Sequence, residues 1–230
     1  MPQGQQIIKD VPAEDIGFWT SLLQADGYTV VVEQQDDGTT AVIGTGSATV
    51  GHDAGSGAGG GDTRQIAWGK KVSSDFKTRL LRCCERLQAN PDYLMAAMAF
   101  ETGCTFSPKA LNAKSKATGL IQFMPKTAQS LGTHTDLLSQ MTAEDQLVFV
   151  EQYLTPYKGR MATIEDTYMA ILFPIAIGKP NDYVLFAQGS REYEQNRGLD
   201  RNQDGKVTKA EAAAMVRARL EQGLSPPNIG

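Results

Sequence analysis

The sequence predicts a mainly α protein with a small α+β domain at its N-terminal side. Three observations carry that expectation. After Trp68, apolar residues recur at helical spacing: Phe76, Leu80, Leu81 and Leu87, then Tyr93 to Phe100, then Leu147, Val148, Val150, Tyr153 and Leu154. Before Gly44, two β-branched runs flank an Asp-Gly pair, a strong hairpin signal. Between these regions, eight of the eighteen residues from Gly44 to Gly61 are glycine, the composition of a flexible connector with a reach of about 20 to 25 Å. The expected organisation is therefore an α+β domain over residues 1–44, a linker over 45–64 and a helical domain over 65–230.

In chain order, Asp10-Val11-Pro12-Ala13-Glu14-Asp15 offers a cap, an early proline and two acids ahead of Phe18, Trp19, Leu22 and Leu23. That pattern predicts a short amphipathic helix ending near Gly27. Tyr28 to Glu33 and Thr39 to Gly44 then read as the two arms of a hairpin around Gln34-Gln35-Asp36-Asp37-Gly38. A unit this small buries little apolar surface, so it is expected to dock on a neighbour or a partner protein. Gly44-Thr45-Gly46-Ser47-Ala48-Thr49 lacks the later glycine and the lysine of a phosphate-binding loop, which argues against a nucleotide site.

Hydrophobic residues make up 41% and charged residues 21% of the chain, so a folded core is expected. A net charge of -4 without a basic stripe argues against nucleic acid as a partner. No apolar run approaches the roughly 20 residues needed to span a bilayer, and Met1 to Asp10 lacks the layout of a signal peptide. Synthesis in the cytoplasm without a leader is the corresponding expectation. Cys83, Cys84 and Cys104 are odd in number with two adjacent, which reads as reduced, packed thiols. A nucleophilic thiol would need a histidine, and only His52 and His134 are present.

Asn90-Pro91-Asp92 starts a helix with a cap and a proline, and Tyr93 to Phe100 then runs without a charge. Glu101 is the next charge. Tyr93, Ala97 and Glu101 recur at i, i+4 and i+8, and Thr102-Gly103 ends the helix. A carboxyl on that apolar face is expected to be partly desolvated, which raises its pKa and suits it to hold a proton at neutral pH. Asp145, Glu165, Asp166 and Glu192 are the candidates for a second carboxylate.

Glu101-Thr102-Gly103-Cys104-Thr105-Phe106-Ser107-Pro108-Lys109-Ala110, followed by Gly119-Leu120-Ile121-Gln122-Phe123-Met124-Pro125-Lys126-Thr127-Ala128, resembles the lytic-transglycosylase domain related to goose-type lysozyme. The resemblance covers roughly residues 90–190. It implies a lysozyme-like helical catalytic domain acting on peptidoglycan glycan strands, with Glu101 as the single acid/base and Gln122 facing the sugar. It further implies N-acetyl assistance in cleaving the MurNAc-GlcNAc β-1,4 bond, a 1,6-anhydro product, and no catalytic cofactor. The spacing from Glu101 to Pro108 is longer than in the common pattern, and Asn112 stands near the family's substrate-orienting serine. The Ala-Tyr-Asn motif is replaced by Tyr168-Met169-Ala170-Ile171-Leu172-Phe173-Pro174, similar to the variant of some phage wall-degrading enzymes, which makes Tyr168 and Phe173 substrate-side candidates. An endolysin or virion lysin of a bacteriophage, or a secreted effector, is implied. The N-terminal domain would then dock on the wall, a virion or a secretion apparatus.

Asp200-Arg201-Asn202-Gln203-Asp204-Gly205-Lys206-Val207-Thr208-Lys209-Ala210-Glu211 matches the EF-hand loop. Asp200, Asn202, Asp204 and Thr208 would offer side-chain oxygens, Lys206 its carbonyl and Glu211 both carboxylate oxygens, a set suited to structural Ca²⁺. Two other readings stand beside the transglycosylase: a hydrolytic lysozyme, and a calcium-stabilised module that holds glycan without cutting it.

Overall fold

In the computed structural model, residues 5–8, 16, 20, 29–34, 40–45 and 64–230 are described. Two units are distinguished, Met1–Gly60 and Gly61–Gly230. In the first, β1 (Gln5–Ile8), β2 (Thr29–Gln34) and β3 (Thr40–Thr45) form one antiparallel sheet with β3 in the middle. β2 and β3 pair Val31 with Ile43 and Gln34 with Thr40, and β1 pairs Ile7 with Ile43. The two arms of the expected hairpin are thus joined, while β1 carried no strand signal in the sequence. Ala41, Val42 and Ile43 of the central strand are buried, whereas Val31 and Val32 of β2 are exposed. Ile16 and Thr20 are helical; the remainder of the expected first helix, the hairpin turn at 35–39 and linker residues 46–63 lie outside the described residues.

The second unit is mainly α, with eight α-helices among the described residues. α1 (Ser74–Leu87) begins where the Ser73 hydroxyl accepts a bond from the Phe76 N–H, and it buries Phe76, Leu80, Cys83, Cys84 and Leu87 along one face. Burial pushes the Cys84 thiol up to about 12, which leaves it unreactive. α2 (Pro91–Glu101) is capped by Asn90 and buries Leu94, Met95, Ala96, Ala97, Met98 and Ala99. A helix that is apolar all round belongs in the centre of a domain, and α2 packs against α1, α6 (Ile164–Leu172) and α8 (Lys209–Gly223). On α8, Ala212 and Ala213 are buried likewise.

Between α2 and α6 lie α3 (Pro125–Ser130), α4 (Thr135–Gln140) and α5 (Ala143–Leu154). α5 returns onto α1, where Arg86 holds Glu151 through two bonds of 2.6 and 2.7 Å. Trp68 closes one end of the core: its indole Nε1 donates to the Arg219 carbonyl at 2.9 Å. Gly223 makes room for that ring, since a Cβ there would sit 2.4 Å from Trp68 Cδ1.

This mainly α unit also holds one small sheet. β4 (Val184–Ala187) and β5 (Lys206–Thr208) form a two-stranded antiparallel sheet, with α7 (Arg191–Asn196) between them in sequence. Segments of four and three residues are too short to show alternation.

Candidate active site

α2 delivers Glu101 on its last turn, at the edge of the buried core. The side chain is half-buried, and desolvation pushes its carboxyl from 4.5 up to about 7, offset in part by a hydrogen bond from the Tyr168 hydroxyl. Tyr168 is buried on α6, with its ring edge-on to Phe100 at 5.6 Å. Burial raises the phenol well above its ordinary value, reinforced by the neighbouring Glu101 carboxylate. The phenol is therefore a fixed donor at neutral pH, and Glu101 is a carboxyl poised to give up or take a proton there.

The segment after Glu101 is held by Thr102, whose hydroxyl donates to the Met98 carbonyl at 2.7 Å and accepts from the Phe106 N–H at 3.0 Å. Gly103, Cys104 and Phe106 all take left-handed backbone angles. For the two non-glycine residues that conformation costs on the order of 1 kcal/mol each, and the Thr102 bonds and the packing of Phe106 on Trp68 at 6.1 Å oppose it.

The other substrate-side candidates are engaged elsewhere. Gln122 donates from Nε2 to the carbonyls of Ala110 at 3.0 Å and Gly119 at 3.2 Å, so it ties two motif segments together. Asn112 is exposed, and its Oδ1 accepts from the N–H groups of Lys114 and Ser115, closing its own turn. Phe173 follows α6 and packs against Phe186 of β4 at 5.4 Å. Of these candidates, Tyr168 is the one whose hydroxyl acts on the Glu101 carboxyl.

Three of the four candidate second carboxylates are committed to ion pairs. Glu165 pairs with Arg217, and Asp166 Oδ1 lies 2.6 Å from Lys209 Nζ. Asp145 lies 3.6 Å from Arg79, which also holds Asp75. Glu192 is exposed on α7, which packs on β4 and β5.

Sequence reasoning missed Gln146, a fully buried amide on α5. Its Oε1 accepts from the Leu120 N–H at 2.7 Å, and its Nε2 donates to the carbonyls of Pro108 at 3.1 Å and Leu138 at 2.8 Å. Gly119 packs directly on it, with a φ of +84° and no space for a Cβ. The segments carrying Pro108 and Gly119 to Gln122 are thereby fixed to one side chain. All three partners are backbone groups, which leave no signature in a sequence.

At the 200–211 loop, Asp200 is buried; its Oδ2 accepts from the Tyr193 hydroxyl at 2.7 Å and the Gly205 N–H at 3.0 Å. The Tyr193 bond holds the Asp200 carboxyl below its usual range. Asn202 Oδ1 accepts from the Asp204 N–H, and Asp204 Oδ1 from the Lys206 N–H. Glu211 forms a capping box with Thr208, accepting from its N–H at 3.0 Å and its hydroxyl at 2.8 Å. No three of His, Cys, Asp and Glu gather as a metal cage among the described residues. One atom suits a hard cation: Asp200 Oδ1 is buried and has no hydrogen-bond partner.

No curated protein matches the chain, and no helix among the described residues is long and apolar enough to cross a membrane. The family model of the transglycosylase SLT domain matches residues 84–148, from within α1 to within α5, a span that includes Glu101, Gln122 and Gln146 and excludes Tyr168 and the 200–211 loop. That part of the chain is therefore similar to the transglycosylase SLT domain, which supports a lytic-transglycosylase or lysozyme-like domain acting on peptidoglycan.

Proposed function

We propose that the Gly61–Gly230 unit cleaves the MurNAc-GlcNAc β-1,4 bond of peptidoglycan with Glu101 as its only acid/base. The observation that carries this reading is the Glu101 carboxyl itself: half-buried at the end of α2, raised to about 7 by desolvation, and at the head of the matched motif. Glu101 protonates the leaving glycosidic oxygen as its bond to C1 breaks, while the substrate's N-acetyl carbonyl oxygen bonds to C1. The resulting Glu101 carboxylate then takes the proton of the 6-hydroxyl, whose oxygen displaces the N-acetyl oxygen and closes a 1,6-anhydro ring. Glu101 ends protonated, ready for the next cycle. Tyr168 orients the carboxylate and stabilises its charged form. The ion pairing of Glu165, Asp166 and Asp145 favours this sugar-assisted route over one needing a second free carboxylate.

The 200–211 loop is proposed to hold Ca²⁺ through oxygens of Asp200, Asn202, Asp204, Lys206, Thr208 and Glu211. The unpartnered Asp200 Oδ1 supports that reading. The ion would supply a structural cross-link rather than chemistry.

Mass analysis of muropeptides released from purified sacculi tests the catalytic reading. Wild type is expected to give anhydro ends and Glu101→Gln none. Ordinary reducing ends would replace the transglycosylase with a hydrolase, and full cutting by Glu101→Gln would overturn Glu101 as the acid.

A further inference from the structure

The first turn of α6 carries two adjacent buried acids, Glu165 and Asp166, and both are bound to α8. Glu165 pairs with Arg217, which is half exposed. Asp166 pairs with Lys209, whose side chain is only 2% exposed. Both partners also bond to groups around the pair. Asp166 Oδ1 accepts from Lys209 Nζ at 2.6 Å and from the Gly178 N–H at 2.7 Å, and Oδ2 accepts from the Thr163 hydroxyl at 3.0 Å. Lys209 Nζ also donates to the Lys179 carbonyl at 2.8 Å. The cluster thus fixes the start of α6, the start of α8 and the 178–179 turn at one point.

Buried ion pairs are weak sources of stability, because desolvation offsets most of the attraction and apolar replacements often do as well. What such a pair does impose is geometry, since the bonds are satisfied in one arrangement alone. Tyr168 lies two residues beyond Asp166, about 200° around the helix. α6 packs on α8 and also on α2. One side of the helix is therefore pinned to α8 by Asp166, while the other sets the Tyr168 ring edge-on to Phe100 at 5.6 Å, next to Glu101 at the end of α2.

We propose that Asp166 and Lys209 are positioning residues for the acid: their buried pair sets the rotation and depth of α6 so that the Tyr168 hydroxyl meets the Glu101 carboxylate. This rests on the reading of Glu101 as the acid. Neither residue touches substrate; both act through Tyr168.

The test compares wild type, Tyr168→Phe, the apolar double variant Asp166→Leu/Lys209→Met, and the triple combination on purified sacculi, with unfolding followed in parallel. The double variant is expected to stay folded, to lose up to roughly tenfold in kcat with KM little changed, as Tyr168→Phe does, and to shift the Glu101 titration upward as the Tyr168 hydroxyl is displaced. Adding it to Tyr168→Phe should shift that titration no further. Asp166→Glu keeps the charge pair but lengthens the arm by one methylene, so it provides a folded variant if the double one unfolds; the same upward shift is expected. ¹³C-carboxyl NMR reads the Glu101 titration without substrate. A wild-type titration in folded Asp166→Glu or in the double variant, or a shift additive with Tyr168→Phe, would overturn the proposal. Undiminished cutting by Glu101→Gln would instead sink the catalytic reading and leave the NMR comparison standing.

Discussion

Tyr168, in the middle of α6, sets its ring edge-on to Phe100 at 5.6 Å, beside Glu101 in the last turn of α2. Its hydroxyl favours the charged carboxylate and so works against the burial that raises Glu101. Tyr168→Phe removes the donor and retains the ring against Phe100. The Glu101 titration should therefore move further up, carrying the alkaline limb of the pH-rate profile with it. Activity at neutral pH is expected to fall roughly tenfold, since the carboxylate loses its orientation. An unshifted limb in a folded Tyr168→Phe protein would remove Tyr168 from the site.

A second consequence concerns stability. Glu101 titrates at about 7 in the folded chain against 4.5 as a free side chain. The folded state therefore holds the proton more tightly, and stability falls as pH rises from about 4.5 through about 7, then levels off. Glu101→Gln removes the ionisation. It should match wild type near pH 4 and exceed it above pH 7 by up to about 3 kcal/mol. Thermal unfolding at pH 4.5 and pH 8 measures the difference, and equal gaps at the two values would refute the desolvated carboxyl.

The position of Glu101 was legible because a charge-free run precedes it, and an all-apolar helix has to be central. Tyr168 and Phe173 could not be separated by sequence: both sit in one apolar stretch, and only packing sends Tyr168 to Glu101 and Phe173 to Phe186. Asp166 and Lys209 lie 43 residues apart, and nothing in either local pattern announces a pair. Thr208 and Glu211 read as cation ligands by spacing, yet the same spacing is that of a capping box, and they form one. Spacing identifies groups that can meet; which bond they make depends on what else is present.

The 200–211 loop yields a prediction of its own. Adding CaCl₂ at about 100 times its dissociation constant should stabilise the folded chain by about 3 kcal/mol, and a chelator should reverse this. Asp200→Ala should abolish the response. Differential scanning calorimetry with and without calcium reads it, and a calcium-independent melting temperature would rule out the site.

Gly119 and Gln146 make the last prediction. A Cβ at residue 119 would lie 2.2 Å from Gln146 Oε1, and the φ of +84° is one that L side chains rarely adopt. Gly119→Ala must therefore push the amide off the Leu120 N–H and strain the backbone as well. Loss of one buried bond costs about 1 to 3 kcal/mol, and the strain adds about 1 to 2 kcal/mol. Gln146→Leu leaves the glycine intact but strands the Leu120 N–H and two carbonyls, with a cost of about 2 to 4 kcal/mol by the same reckoning. The two changes act on one contact, so the double variant should be less destabilised than the sum of the singles. Urea unfolding of the four proteins measures the coupling, and simple additivity would show that the glycine and the amide are not one structural unit.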